Sequence, residues 1–149
     1  MRNRQSSLSF ESHYLDAGYK PQYPFGYGLS YAQFEYANLI RSAETIKQDE
    51  LLTVSAEIKN TGTVEADEIV QLYTRDLVGD ITRPVRELKG FQRIRLKPGE
   101  SKIVQFKLHP DDLSFHNQKM QSVTEPGTFY VWIAPDSENG LQGSFEIIE

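Results

Sequence analysis

The chain has 149 residues, the length of a single domain able to bury a core of its own. A net charge of −5, with basic residues interspersed among acids, excludes a nucleic-acid partner, because phosphate binding needs a basic stripe. The absence of cysteine excludes a disulfide framework, a thiolate metal site and a cysteine nucleophile, and no apolar run approaches the ~20 residues of a membrane span.

The opening Met1-Arg-Asn-Arg-Gln-Ser-Ser7 carries charge with no apolar stretch behind it and does not read as a signal peptide. The expectation is a cytoplasmic chain or a piece of a longer exported precursor. Residues 1–30 read as an arm or linker packed in extended form. They are rich in Tyr, Pro and Gly (Tyr14, Tyr19, Pro21, Tyr23, Pro24, Phe25, Gly26, Tyr27, Gly28) and keep neither a 3.6 nor a 2 period. Composition shifts there, and residues 31–149 read as one domain.

Phe34 to Ile40 is a first strand. Leu51 to Asn60 alternates, with Leu52, Val54, Ala56 and Ile58 on one face, and Asn60-Thr-Gly62 supplies a turn. Glu68 to Asp76 follows, with Val70, Leu72 and Thr74 opposite Ile69, Gln71 and Tyr73. Arg86 to Leu96 has Leu88, Phe91, Ile94 and Leu96 as its apolar members, and Gly90 breaks its alternation as a bulge does. Its basic residues, Arg83, Arg86, Lys89, Arg93 and Arg95, read as a solvent face. Lys97-Pro-Gly-Glu100 has the type II turn pattern. Ser101 to Leu108 alternates through Ile103 or Val104, Phe106 and Leu108. His109-Pro-Asp-Asp-Leu113 reads as one helical turn, with proline at its start and acids suited to a helix N-terminus. After the turn Glu125-Pro-Gly127, Thr128 to Ala134 sets Phe129, Val131 and Ile133 against Tyr130, Trp132 and Ala134, and Leu141 to Ile148 closes the chain. About seven short strands and no long helix predict an all-β, fibronectin type III or immunoglobulin-like β-sandwich with an extended N-terminal arm.

Little in this pattern does chemistry. Asp76, Asp80, Asp111, Asp112, Glu125 and Asp136 fall mostly in turn contexts, where acids cap backbone N–H groups or take solvent, so no pair of carboxyls is assigned to acid–base catalysis. His13, His109 and His116 lack zinc-ligand spacing. Glu65, Asp67 and Glu68 match no calcium loop and read as a solvated loop. No G-x-S-x-G elbow or glycine-rich phosphate loop occurs. The expectation is therefore no catalytic residue, no metal and no cofactor. Two aromatic groups stand out. Tyr130 and Trp132, with Tyr73 near them, are candidates for carbohydrate contact, weighed against burial in the core of the sandwich. Tyr23, Phe25, Tyr27, Leu29 and Tyr31 form an arm too aromatic to be left bare, a candidate for packing on another domain or for self-association.

Tyr23-Pro-Phe-Gly-Tyr-Gly-Leu-Ser-Tyr31 resembles the signature that, in the glycoside hydrolase family 3 β-glucosidases, stands just before the C-terminal fibronectin type III-like domain. Asn60-Thr-Gly62, Val70-Gln-Leu-Tyr73, Arg83-Pro-Val85, Glu87-Leu-Lys-Gly-Phe91, Leu96-Lys-Pro-Gly-Glu100, Pro110-Asp-Asp-Leu-Ser-Phe115 and Glu125-Pro-Gly127 resemble that domain in its order. Ser12-His-Tyr-Leu-Asp16 resembles the end of the preceding domain, with His13 where arginine is frequent, while residues 1–11 match nothing. The bacterial periplasmic β-glucosidases are the most similar type. The resemblance implies a non-catalytic accessory domain, since the family's nucleophile Asp and its acid/base lie in a barrel and an α/β domain that this sequence does not contain. It implies catalytic domains as partners, in cis or in trans, and a periplasmic or secreted parent enzyme. A carbohydrate-binding module and a free-standing immunoglobulin-like interaction domain are the alternatives.

Overall fold

Alternating apolar residues gain most when two pleated faces close on each other, and the strands of this chain do so. The computed structural model describes residues 21–77, 86–116 and 122–149. Among them ten strands follow in chain order: β1 (Phe34–Arg41), β2 (Thr45–Lys47), β3 (Leu52–Asn60), β4 (Ala66–Asp76), β5 (Glu87–Leu96), β6 (Ser101–Leu108), β7 (Phe115–His116), β8 (Ser122–Val123), β9 (Gly127–Ala134) and β10 (Leu141–Ile148). One sheet has the order β1-β3-β6, the other β2-β10-β9-β4-β5, and β7 and β8 form a separate two-stranded ladder. All pairings are antiparallel except that of β10 with β2. The result is the expected all-β sandwich.

The inner faces supply the core. Leu52, Val54, Ala56 and Ile58 of β3 meet Val70 and Leu72 of β4, Val104, Phe106 and Leu108 of β6, Val131 and Ile133 of β9 and Ile147 of β10. Phe129 and Phe145 stack with ring centroids 5.5 Å apart. The helical turn of Pro110–Leu113 forms as expected, capped by His109, and seals one margin with buried Leu113. The Lys97–Glu100 turn closes by the Glu100 N–H donating to the Lys97 carbonyl at 2.9 Å, with Gly99 at φ +77°.

Several expectations need correction. β2, β7 and β8 were not foreseen, because two or three residues carry no period. On β6 it is Val104 that enters the core, while Ile103 points outward. On β5 Leu96 is buried and Ile94 packs against the core, but Leu88 and Phe91 are exposed. The bulge is present: Leu72 opposes Gly90 and Tyr73 opposes Leu88, so Lys89 is the extra residue. The arm is not simply extended, since the Tyr27 N–H closes a turn onto the Pro24 carbonyl at 3.1 Å, with Gly26 at φ +79°. The acidic cluster is only in part a solvated loop: Glu65 is exposed before β4, but the other two acids are not in the loop. Asp67 and Glu68 lie on β4, where Asp67 accepts from Arg93 and Arg95, and Glu68 accepts from the Tyr36 hydroxyl at 2.6 Å.

Candidate functional site

The outer face of the five-stranded sheet carries a second, smaller core. Register places Tyr73 of β4 beside Trp132 of β9, and with Ala134 they are buried on the side facing away from the main core, with Tyr130 packed edge-on against the Trp132 ring at 5.7 Å. Trp132 is 4% exposed. It belongs neither to the core between the sheets nor to an open platform, because Arg86 covers it. The guanidinium lies 4.4 Å from the indole centroid and donates to the Asn139 carbonyl at 2.9 Å. A cation on an indole face gains from the ring quadrupole, so Arg86 is held as a lid and not as a free surface charge.

Asp136 anchors the loop beyond β9. It is buried, and its Oδ1 accepts from the backbone N–H groups of Glu138 and Asn139, both at 2.8 Å, and from the Asn139 amide. Burial pushes its pKa up, but these hydrogen bonds together with the Arg86 charge hold the carboxyl below its ordinary value. Burial and the nearby Asp136 carboxylate raise Tyr73.

The arm docks on this same face through Gln71. The Gln71 side chain is 4% exposed; its amide donates to the carbonyls of Gly26 at 3.2 Å and Pro135 at 2.5 Å, and its oxygen accepts from the Tyr73 hydroxyl at 2.5 Å. The Ser137 N–H donates to the Phe25 carbonyl at 2.9 Å. A Cβ on Gly26 would stand 2.2 Å from the Gln71 oxygen, so this close approach requires glycine for space as well as for its positive φ. The backbone is thus latched while the side chains stay free. Tyr23, Phe25, Tyr27, Leu29 and Tyr31 are all exposed, with the Tyr23 and Tyr27 rings stacked at 5.1 Å. Phe25 and Leu88 wall an open groove of ≈530 Å³ that Tyr73, Arg86, Glu87, Ser137 and Glu138 also line.

The other residues considered from sequence do not gather here. Asp111 and Asp112 belong to the helical turn, where Asp112 accepts from the His109 N–H at 2.9 Å and His109 Nδ1 accepts from the Asp111 N–H at 3.3 Å. Asp76 ends β4, and Glu125 precedes β9. His13, Asp80, Tyr14, Tyr19 and the motifs Ser12–Asp16 and Arg83–Val85 lie outside the described residues, as does the side chain of His116. Among the described residues no three His, Asp or Glu side chains gather as metal ligands, and no helix is long and apolar enough to cross a membrane. The polar atoms of the site serve neighbours within the domain, which is the chemistry of positioning. Sequence reasoning missed Gln71 and placed Arg86 on a solvent face, whereas Asp136 caps backbone N–H groups as its turn context suggests. A glutamine on an otherwise apolar strand was the one local signal, since a buried amide needs partners.

Residues 68–137 match the model of the fibronectin type III-like domain. The chain is 42% identical over 146 residues to the periplasmic β-glucosidase of Salmonella typhimurium, covering 98% of this chain and 19% of that protein. It is 46% identical over 118 residues to a β-xylosidase of Formosa agariphila, covering 79% of this chain and 16% of that one. The β-glucosidase of Listeria innocua, solved with glucose, superposes with a TM-score of 0.84 at 37% identity, covering 95% of this chain and 20% of that chain. β-Glucosidase 3B of Thermotoga neapolitana, also solved with glucose, gives 0.78 at 37% identity, over 87% of this chain and 18% of that one. The chain spans about a fifth of the length of the curated relatives it matches.

Proposed function

We propose that this chain, which belongs to the fibronectin type III-like domains of glycoside hydrolase family 3, serves as a non-catalytic accessory domain. In this reading it packs against, and stabilises, catalytic domains that hydrolyse terminal β-D-glucosyl residues. The observation that carries the reading is the arm: its backbone is tied to the sandwich through Gly26, Phe25, Gln71 and Ser137, while Tyr23, Phe25, Tyr27, Leu29 and Tyr31 remain exposed. A pre-ordered row of apolar side chains loses little entropy on docking, and each apolar Å² it buries favours the assembled state by about 25 cal/mol. The parent enzyme is then periplasmic or secreted, in line with the name of its Salmonella relative.

The carbohydrate-module reading is the weaker one, because Trp132 lies beneath Arg86 and cannot offer its face to a sugar ring. The test is a chimera in which this chain replaces the matching fifth of the Salmonella typhimurium enzyme. We expect β-glucosidase activity to survive heating better in the chimera than in the same enzyme lacking that fifth. Serine at Tyr23, Phe25 and Tyr27 should remove most of the gain. Hydrolysis of an aryl β-glucoside by the isolated chain, or a catalytic part indifferent to its presence, refutes the reading.

A further inference from the structure

We propose that the face laid against the catalytic part is the outer face of the five-stranded sheet, running from Phe25 of the arm across Ile69, Leu88 and Phe91. This rests on the accessory-domain reading and names the surface that reading leaves open.

The two outer faces of the sandwich differ in kind. On the three-stranded sheet, the residues alternating with the core positions are Thr53, Ser55, Glu57 and Lys59 on β3 and Ile103, Gln105 and Lys107 on β6. That face is mostly polar; its large exposed apolar residues, Ile103 on β6 and Ile40 on β1 opposite Ser55, stand apart on the two strands that flank β3. On the five-stranded sheet the register sets Gln71 opposite Phe91, Tyr73 opposite Leu88 and Ile69 opposite Arg93. Gln71 is covered by Gly26, so Phe25 of the arm and Phe91 of β5 flank the same buried amide. Phe25 is 67% and Phe91 66% exposed, and Ile69 and Leu88 are exposed beside them. Large apolar groups clustered on one sheet face, on and next to an edge strand, are a liability unless something covers them.

Several charges of this face hold partners within the domain: Asp67 joins Arg93 and Arg95, and Arg86 is stacked on Trp132. A surface whose ions hold partners within the domain loses less when water leaves it, and docked interfaces have an apolar centre with a polar rim.

The occupant follows from length and continuity. About four-fifths of the length of the Salmonella relative lies outside the part this chain matches. The arm leading toward the N-terminus crosses this face, so a unit joined through it is held beside the patch at the high effective concentration of a short tether. The groove between Phe25 and Leu88 is open to receive an apolar side chain from that unit.

The test is hydroxyl-radical footprinting, read by mass spectrometry, on the 149-residue chain alone and in the Salmonella chimera. We expect labelling of Phe25, Ile69, Leu88 and Phe91 to fall on the order of five-fold in the chimera, as for side chains entering an interface core, with Ile103 unchanged. Protection of Ile103 with Phe91 still fully labelled overturns the choice of face and leaves the accessory role standing. No protection on either face in a chimera that is active and stabilised by the domain also overturns the choice of face. No protection and no stabilisation removes the accessory reading itself. If the chimera does not fold, the same footprint on the chain mixed with the truncated Salmonella enzyme decides between the faces. Protection of the patch in the chain alone as its concentration rises, or on adding soluble β-glucan, assigns the face to a second copy or to carbohydrate and overturns the proposal.

Discussion

Asn60 is where the two sheets are knitted together, and replacing it gives a sharp test of the fold described here. It is the last residue of β3 and is fully buried. Its amide donates to the Val64 carbonyl at 2.8 Å and to the Leu96 carbonyl, at the end of β5, at 3.0 Å, and its oxygen accepts from the Gly62 N–H at 2.9 Å. Asn60→Ala deletes all three bonds while the backbone bonds of Asn60 to Glu100 and Gly99 remain. At about 0.5–1.5 kcal/mol net per bond, with a buried carbonyl left unpaired, the loss should be about 2–4 kcal/mol. For a chain of this size that lowers Tm by roughly 2–4 °C per kcal/mol. Asn60→Asp keeps the acceptor for Gly62 but turns a carboxylate toward two carbonyls, so at neutral pH it should be no more stable than the alanine variant. In acid it should recover, because a protonated Asp can donate one bond, and a group that gains a proton on folding stabilises at low pH. The assay is urea unfolding followed by emission of Trp132, the single tryptophan. A lower midpoint at unchanged m-value reports lost stability alone. A loss under about 1 kcal/mol for the alanine variant, or an Asp variant more stable than it at neutral pH, refutes the bonding scheme.

Three further outcomes are expected. Arg86→Ala should uncover Trp132, shifting its emission to the red and costing about 1 kcal/mol in urea unfolding, as for a partly desolvated cation–π pair; unchanged emission would mean that the guanidinium does not cover the ring. Gly26→Ala should release the arm, seen as faster chymotrypsin cleavage between Tyr23 and Tyr31, while the sandwich keeps its urea midpoint; equal cleavage rates would sink the latch at Gln71. Burial raises the pKa of Glu68 despite the Tyr36 hydrogen bond, so its contribution to stability is complete below the ordinary carboxylate range and is lost as pH rises through its folded pKa. Asp67, held low by Arg95 and Arg93, acts in the opposite sense: its contribution is complete above the ordinary carboxylate range and is lost as pH falls from there toward its lower folded pKa. Glu68→Gln should therefore remove the stability lost on raising the pH, and an unchanged pH profile of the urea midpoint would show that Glu68 is not buried against Tyr36.

Strand content and the inward faces were legible in the residues. Leu52, Val54, Ala56 and Ile58, and Phe129, Val131 and Ile133, face the core where period-two alternation puts them. The Lys97–Glu100 turn and the bulge at Lys89, beside Gly90, came from turn and glycine chemistry in the same local way. The arm was legible as aromatic and unusual but not as latched, because its partners Gln71, Pro135 and Ser137 are far from it in sequence.

Parity along a strand is a local property, so the chain by itself determines which side chains share a face and which of the two faces can build a core. It does not determine whether the other face is bare, because that depends on which distant segment crosses it. Arg86 makes Trp132 a covered residue and Gly26 makes Gln71 one, while Phe91, opposite Gln71, is left open. Only the tertiary structure decides these three, since each turns on a contact between residues that the folded sheet brings together and no local period encodes.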